Sequence, residues 1–96
     1  MTGIYKITNK INGKIYIGQS VHIKNRWQEH KSKAFLPDDK SYNSALHSAF
    51  RKYGLENFLF EVIEECELSD LDDREKYWIK TLNTLSPNGY NLISGG

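Results

Sequence analysis

The chain has 96 residues, 39% of them hydrophobic and two of them tryptophan, which suits one domain near the lower size limit for a core without staples. Its single cysteine, Cys66, excludes an internal disulfide and fits a reducing, cytoplasmic setting; no apolar run nears the ~20 residues that cross a bilayer, and no secretory signal opens the chain. The formal charge is only +1, yet residues 1–52 set ten Lys or Arg against three acids (+7), whereas residues 53–96 set three against nine (−6), a division that suggests a basic face turned toward a polyanion.

Thr2 to Gln19 reads as a β-hairpin. The runs Gly3-Ile4-Tyr5-Lys6-Ile7 and Ile15-Tyr16-Ile17 flank Asn12-Gly13, a pair suited to a type I′ turn. A turn centred there opposes Ile11 with Lys14, Asn9 with Tyr16 and Ile7 with Gly18. Tyr5, Lys14, Tyr16 and Ser20 then share one face of the sheet. Ser20 is the expected N-cap of a helix over Val21–Lys33. Ile23, Trp27 and Ala34 mark its buried stripe, with His30 inside the stripe and Arg26 at its edge.

Pro37-Asp38-Asp39 reads as a loop. A second helix is expected over Tyr42–Tyr53, with Leu46, Ala49, Phe50 and Tyr53 inward, Gly54 as its stop, and His47, like His22, at an exposed position. Phe58–Ile63 alternates as a strand. Ser69-Asp70-Leu71-Asp72 has the form of a capping box and opens a third helix to about Leu82. Its stripe is Leu71, Trp78, Ile79 and Leu82, and Glu75 falls among them. Pro87–Gly96 is turn-rich, with a short strand expected at Tyr90–Leu92. The chain reads as one α/β unit.

Three features stand out once the core is assigned: a carboxylate, Glu75, on an apolar helix face; Arg26 and His30 beside another apolar stripe; and Tyr5, Tyr16 and Lys14 on one sheet face. A desolvated carboxylate is costly without a partner. Each feature alone has a structural explanation. Cys66 reads as a small structural hydrophobe. The sequence holds no glycine-rich phosphate loop, no Cys/His zinc pattern and no serine-hydrolase elbow.

Gly3-Ile4-Tyr5 and Tyr16-Ile17-Gly18, followed in order by Arg26, His30, Glu75 and the Asn91 of Gly89-Tyr90-Asn91, resemble the motifs of the GIY-YIG nuclease family. The resemblance spans essentially the whole chain and is strongest to the catalytic domains of phage and group I intron homing endonucleases. It implies an α+β fold, with a small three-stranded antiparallel sheet, an N-terminal hairpin and about three flanking helices. It further implies hydrolysis of DNA phosphodiester bonds inside a bacterial or phage-infected cell, with Mg2+ or Mn2+ as cofactor. Residues 1–96 then form a single catalytic domain that lacks a C-terminal DNA-binding segment. The alternatives are a catalytically silent binding module on the same fold and a stand-alone restriction or repair nuclease.

The chemistry assigns roles within this resemblance. Glu75 suits the single protein ligand of a magnesium ion, which commonly keeps its waters and takes one or two carboxylates plus phosphate oxygens. Arg26 suits a clamp on a non-bridging phosphate oxygen, and His30 can orient water or move a proton. The family pattern implies Tyr5 as general base and Tyr16 as the group that positions phosphate or water, with the base open among Tyr5, Tyr16 and His30. Lys14 and Arg26 are expected to lower the tyrosine pKa, and Asn91 to brace the site by hydrogen bonds. Related enzymes often carry another histidine between the first two helices; here that stretch offers Lys40, Ser41 and Asn43.

Overall fold

The alternating isoleucines and tyrosines at the N-terminus form strands β1 (Gly3–Asn9) and β2 (Ile15–Ser20) in a computed structural model that describes residues 1–92. Tyr5 lies opposite Gly18 and Ile7 opposite Tyr16, two residues displaced from the register that an Asn12-Gly13 turn sets. The cause is the loop. A type I′ turn needs positive φ at both central residues, but here only Gly13 adopts it (φ 76°). The chain instead makes a four-residue loop over residues 10–13. Asn9 N–H donates to the Lys14 carbonyl (2.9 Å), and the side-chain oxygens of Asn9 and Asn12 accept from the N–H groups of Ile11 and Lys14. Moving the loop centre by one residue moves the register by two, so the facing of side chains survives. Tyr5, Tyr16 and Gly18 share a face, while Lys14 lies just after the loop, before β2 begins.

Strand β3 (Phe58–Glu65) runs two residues beyond the expected Ile63 and pairs antiparallel with the other edge of β1, giving the order β2-β1-β3. A bulge at Ile4/Tyr5 leaves Ile63 as the extra residue of β3. On one face, Tyr5, Ile7 and Phe58 pack with Ile23 and Ala34 and with Leu46, Ala49 and Phe50, residues of α1 (Ile23–Lys33), the turn after it, and α2 (Ala45–Tyr53). On the other face, Ile4 and Ile17 pack with Leu71 and Ile79 of α3 (Leu71–Leu82). Six of the ten basic residues of the first half (Lys24, Arg26, Lys31, Lys33, Arg51 and Lys52) lie on α1 and α2. The charge division in the sequence thus becomes a basic helical layer on one side of the sheet.

The helix starts differ from expectation. Ser20 does not cap α1: its Oγ accepts the His22 N–H (2.9 Å) and turns the chain before the helix begins at Ile23. Asp39 and Ser41 hold a series of turns, so α2 begins at Ala45, where Ser44 Oγ accepts the His47 N–H. Gly54 ends α2 at φ 88°, a backbone angle that favours glycine. The Ser69 capping box is not made; a 3-10 turn over Leu68–Asp70 leads into α3 instead. The expected Tyr90–Leu92 strand reduces to a single bridge between Asn91 and Leu85; residues 93–96 of that segment lie outside the described residues. Among the described residues, no helix is long and apolar enough to cross a membrane.

Candidate active site

The site begins with a missing side chain. Gly18 lies directly across from Tyr5, and a Cβ there would run into the Tyr5 ring and hydroxyl. Glycine lets the phenol lie flat across β2 and reach α1, where the Tyr5 hydroxyl meets His30 Nε2 at 2.8 Å. Tyr16, two residues before Gly18, brings its ring centroid to 5.6 Å from His30 and 6.3 Å from Tyr5. Tyr5 is only 1% exposed, so it stands behind the half-buried Tyr16. Arg26 precedes His30 by one helical turn and therefore shares its face; Glu29 holds Nη1 of Arg26 at 3.0 Å.

Electrostatics tie these residues together. Burial pushes the Tyr5 phenol far above its ordinary pKa, and the neighbouring Tyr16 adds to the rise; Arg26 opposes it without prevailing. Burial likewise raises Tyr16, with Arg26 lowering it and Glu75 raising it. Arg26 and Glu75 are thus close enough to act on both tyrosines. The expectation that Lys14 and Arg26 lower the tyrosine pKa is corrected: desolvation outweighs the one cation that acts, and Lys14 is not among the charges that bear on either ring. Burial, followed by Arg26 and His47, depresses His30 to about 3. At neutral pH the site therefore holds a neutral phenol against an unprotonated imidazole.

Glu75 reaches the sheet from α3 and is 8% exposed. The Gln19 amide of β2 donates to Glu75 Oε1 (3.3 Å) and to Asp72 Oδ1 (2.8 Å), joining two consecutive turns of α3 to the strand. Among the described residues, no three His, Cys, Asp or Glu side chains gather into a metal cage. One buried carboxylate suits magnesium, which keeps water and phosphate oxygens as most of its ligands, better than zinc, which demands three or four protein ligands.

Asn91 pairs with the edge strand. Its Oδ1 accepts the Ile17 N–H (2.8 Å) and its Nδ2 donates to the Ile17 carbonyl (2.9 Å), so a side-chain amide stands in for a neighbouring strand. Thr84 Oγ1 donates to the same Oδ1 at 2.8 Å. Next to it, the Tyr90 hydroxyl accepts from Asn9 Nδ2 at 3.0 Å and so ties the hairpin end to the same segment.

A cleft of about 390 Å³ opens beside the tyrosines. Tyr16, Arg26, His30, His47, Ser41 and Asn91 are on its walls, whereas Tyr5 and Glu75 are not. His47 contradicts the sequence reading: it is 3% exposed, and its Nε2 lies 2.9 Å from His30 Nδ1. His22, by contrast, is exposed as expected.

A profile of the GIY-YIG catalytic domain matches residues 1–91. The chain belongs to the GIY-YIG family. It is 36% identical over 95 residues to intron-associated endonuclease 1 of Enterobacteria phage T4, an alignment covering 95% of this chain and 36% of that protein. Similarity to the putative endonuclease segB of the same phage is 38% over 98 residues, covering 96% of this chain and 38% of that protein. This GIY-YIG chain therefore spans little more than a third of the phage proteins it matches. The catalytic domain of homing endonuclease I-TevI superposes with a TM-score of 0.81 at 33% identity, covering 97% of this chain and 99% of that one. The E75A mutant of the I-TevI catalytic domain gives 0.83 at 32% identity, covering 99% and 96%.

Three residues that contact the candidate site residues escaped the sequence reading. Gln19 looks like an ordinary strand polar residue until α3 docks on β2. Thr84 gains its role only when Asn91 folds back. His47 lies three positions before Phe50 and one after Leu46, at the margin of the α2 stripe; that closeness was the available signal.

Proposed function

We propose that this GIY-YIG domain is the cutting unit of a magnesium-dependent DNA endonuclease of the homing type, acting inside the cell. The observation that carries the reading is the Tyr5–His30 hydrogen bond, set within electrostatic reach of Arg26 and Glu75. Hydrolysis of a phosphodiester needs a base for water, stabilisation of growing negative charge and a positioned phosphate. Tyr5 is the general base in this reading. As its oxygen takes a proton from the attacking water, its own proton passes to His30 Nε2. One O–H bond breaks at water and another forms on Tyr5; the original Tyr5 O–H bond breaks and an N–H bond forms on His30. No free phenolate forms; burial also disfavours the imidazolium that does form, and the negative charge growing on the phosphate offsets that cost. Arg26 grips a non-bridging phosphate oxygen through its planar fork, and Tyr16, on the cleft wall, orients phosphate or water.

Glu75 would hold the divalent cation, magnesium or manganese, with Gln19 fixing the carboxylate. When bound, that ion supplies positive charge against the phosphate as negative charge develops. The basic layer formed by α1 and α2 faces the DNA backbone, and binding is expected to be weak, salt-sensitive and tolerant of sequence.

A supercoiled-plasmid nicking assay with Mg2+, an EDTA control and the Glu75→Ala variant tests the reading. Nicking should need the metal and fall by at least ~10²-fold in Glu75→Ala, with its circular dichroism unchanged. A folded Glu75→Ala chain that nicks as fast as the wild type would overturn it.

A further inference from the structure

His47 is a buried titratable group for which the mechanism above has no task. Its ring stacks on Phe50 (interplanar angle 20°) and meets the His30 ring edge-on (82°, centroids 5.1 Å apart). These contacts fix both ring planes. With the Tyr5 contact they form a continuous string: Tyr5 hydroxyl, His30 Nε2, His30 Nδ1, His47 Nε2. A neutral imidazole carries one hydrogen, so each ring donates at one nitrogen and accepts at the other. The string can therefore run in only two directions.

Proton transfer from Tyr5 to His30, as the nuclease reading requires, selects one of them. The Tyr5 hydrogen must then go to His30 Nε2. His30 consequently bears its hydrogen on Nδ1 and donates to His47 Nε2, and His47 bears its own on Nδ1. That His47 Nδ1 is buried and has no hydrogen-bond partner among the described residues.

We propose that His47 is a positioning residue for the cleavage step: by accepting the Nδ1 hydrogen of His30, it holds His30 in the tautomer whose Nε2 lies bare toward Tyr5. In the opposite tautomer an N–H faces the Tyr5 oxygen, and His30 has no lone pair there to receive a proton. Once the Tyr5 proton arrives, His30 is an imidazolium whose Nδ1–H makes a charge-assisted bond to His47, stronger than the neutral one. The proposal rests on the nuclease reading of Tyr5 and His30, but the tautomers can be measured without DNA.

The test combines the imidazole 15N spectrum of the 96-residue chain at neutral pH with single-turnover nicking and DNA-binding measurements. His47→Phe keeps a ring against Phe50 and removes the acceptor; His47→Gln places an amide oxygen near the lost Nε2. Wild-type His30 should show a protonated Nδ1 and a bare Nε2. His47→Phe should lose that pure tautomer and cut about 10- to 100-fold more slowly, the range seen when a group that orients an active-site histidine is lost, with DNA affinity unchanged. His47→Gln should keep the tautomer and recover most of the rate. A wild-type His30 protonated at Nε2, a His47→Phe chain that cuts at the wild-type rate, or a His47→Gln chain as slow as His47→Phe would each overturn the proposal. The wild-type spectrum needs no substitution, so it decides even if His47→Phe does not fold. A wild-type chain that cuts no DNA is a separate result: it refutes the nuclease reading, and the spectrum still judges the histidine string.

Discussion

Tyr5→Phe removes one hydroxyl and keeps the ring, including its edge-on contact with Trp27 at 6.1 Å and its place over Gly18. The loss is the 2.8 Å bond to His30, whose Nε2 is left in the core without a donor. An unsatisfied buried polar group costs ~1–3 kcal/mol, against a total stability of ~5–15 kcal/mol for a small domain. The variant should therefore melt lower and remain folded at 25 °C. Its cutting should suffer far more: loss of a general base reduces rates by ~10²- to 10⁴-fold, equivalent to about 2.7–5.4 kcal/mol in the barrier. Single-turnover nicking at saturating Mg2+ and DNA, from neutral to alkaline pH, reads this directly. Alkaline buffer should recover nothing, because the variant has no proton to lose at position 5. Lys14→Met, at the end of the hairpin loop, should leave the pH–rate profile in place. Near wild-type cutting by Tyr5→Phe would refute the reasoning and pass the role of base to His30.

Gly18→Ala should push the Tyr5 ring off His30, costing ~1–3 kcal/mol through overpacking and much of the activity; unchanged nicking would show that the close approach is not needed. Asn91→Ala strips Ile17 of two hydrogen bonds and Thr84 of one, so urea denaturation should report a loss of ~2–4 kcal/mol, and a loss below ~0.5 kcal/mol would exclude the brace. Stability should also fall with acid. The folded His30 pKa of about 3 lies below the unfolded value of 6.5, so its contribution is complete above about pH 6.5 and declines as pH drops toward 3, by up to ~1.4 kcal/mol per pH unit. His47, also depressed by burial, adds in the same direction. Urea midpoints that stay flat from pH 7 to 5 would contradict a neutral, buried histidine pair.

What the sequence made legible followed periodicity. Side chains alternate along a strand, so Tyr5 and Tyr16 were placed on one face even though the loop set a different register. Glu75 stood out because a carboxylate in an apolar helical stripe needs a reason. The register itself was hidden because the side-chain amides of Asn9 and Asn12 decide the loop, and turn propensity does not weigh them. Lys14 was misjudged because sharing a face is not proximity: Gly18, opposite Tyr5, lies four residues further along the chain, roughly 13 Å away at strand spacing. The sign of the tyrosine shift was illegible for a related reason, since desolvation depends on α1 and α2 closing over the ring. His47 needed a partner on another helix before its burial made sense.

The pairing of Asn91 with Ile17 spans 74 residues of sequence, and it bears on how the domain comes into being. Synthesis runs from the N-terminus, so the strand carrying Tyr16 and Gly18 is made well before the amide that closes its outer edge. A chain that stops short of Asn91 has every proposed catalytic side chain but an unfinished edge to hold Tyr16. The proposed site is thus complete only once the chain has been made through Asn91.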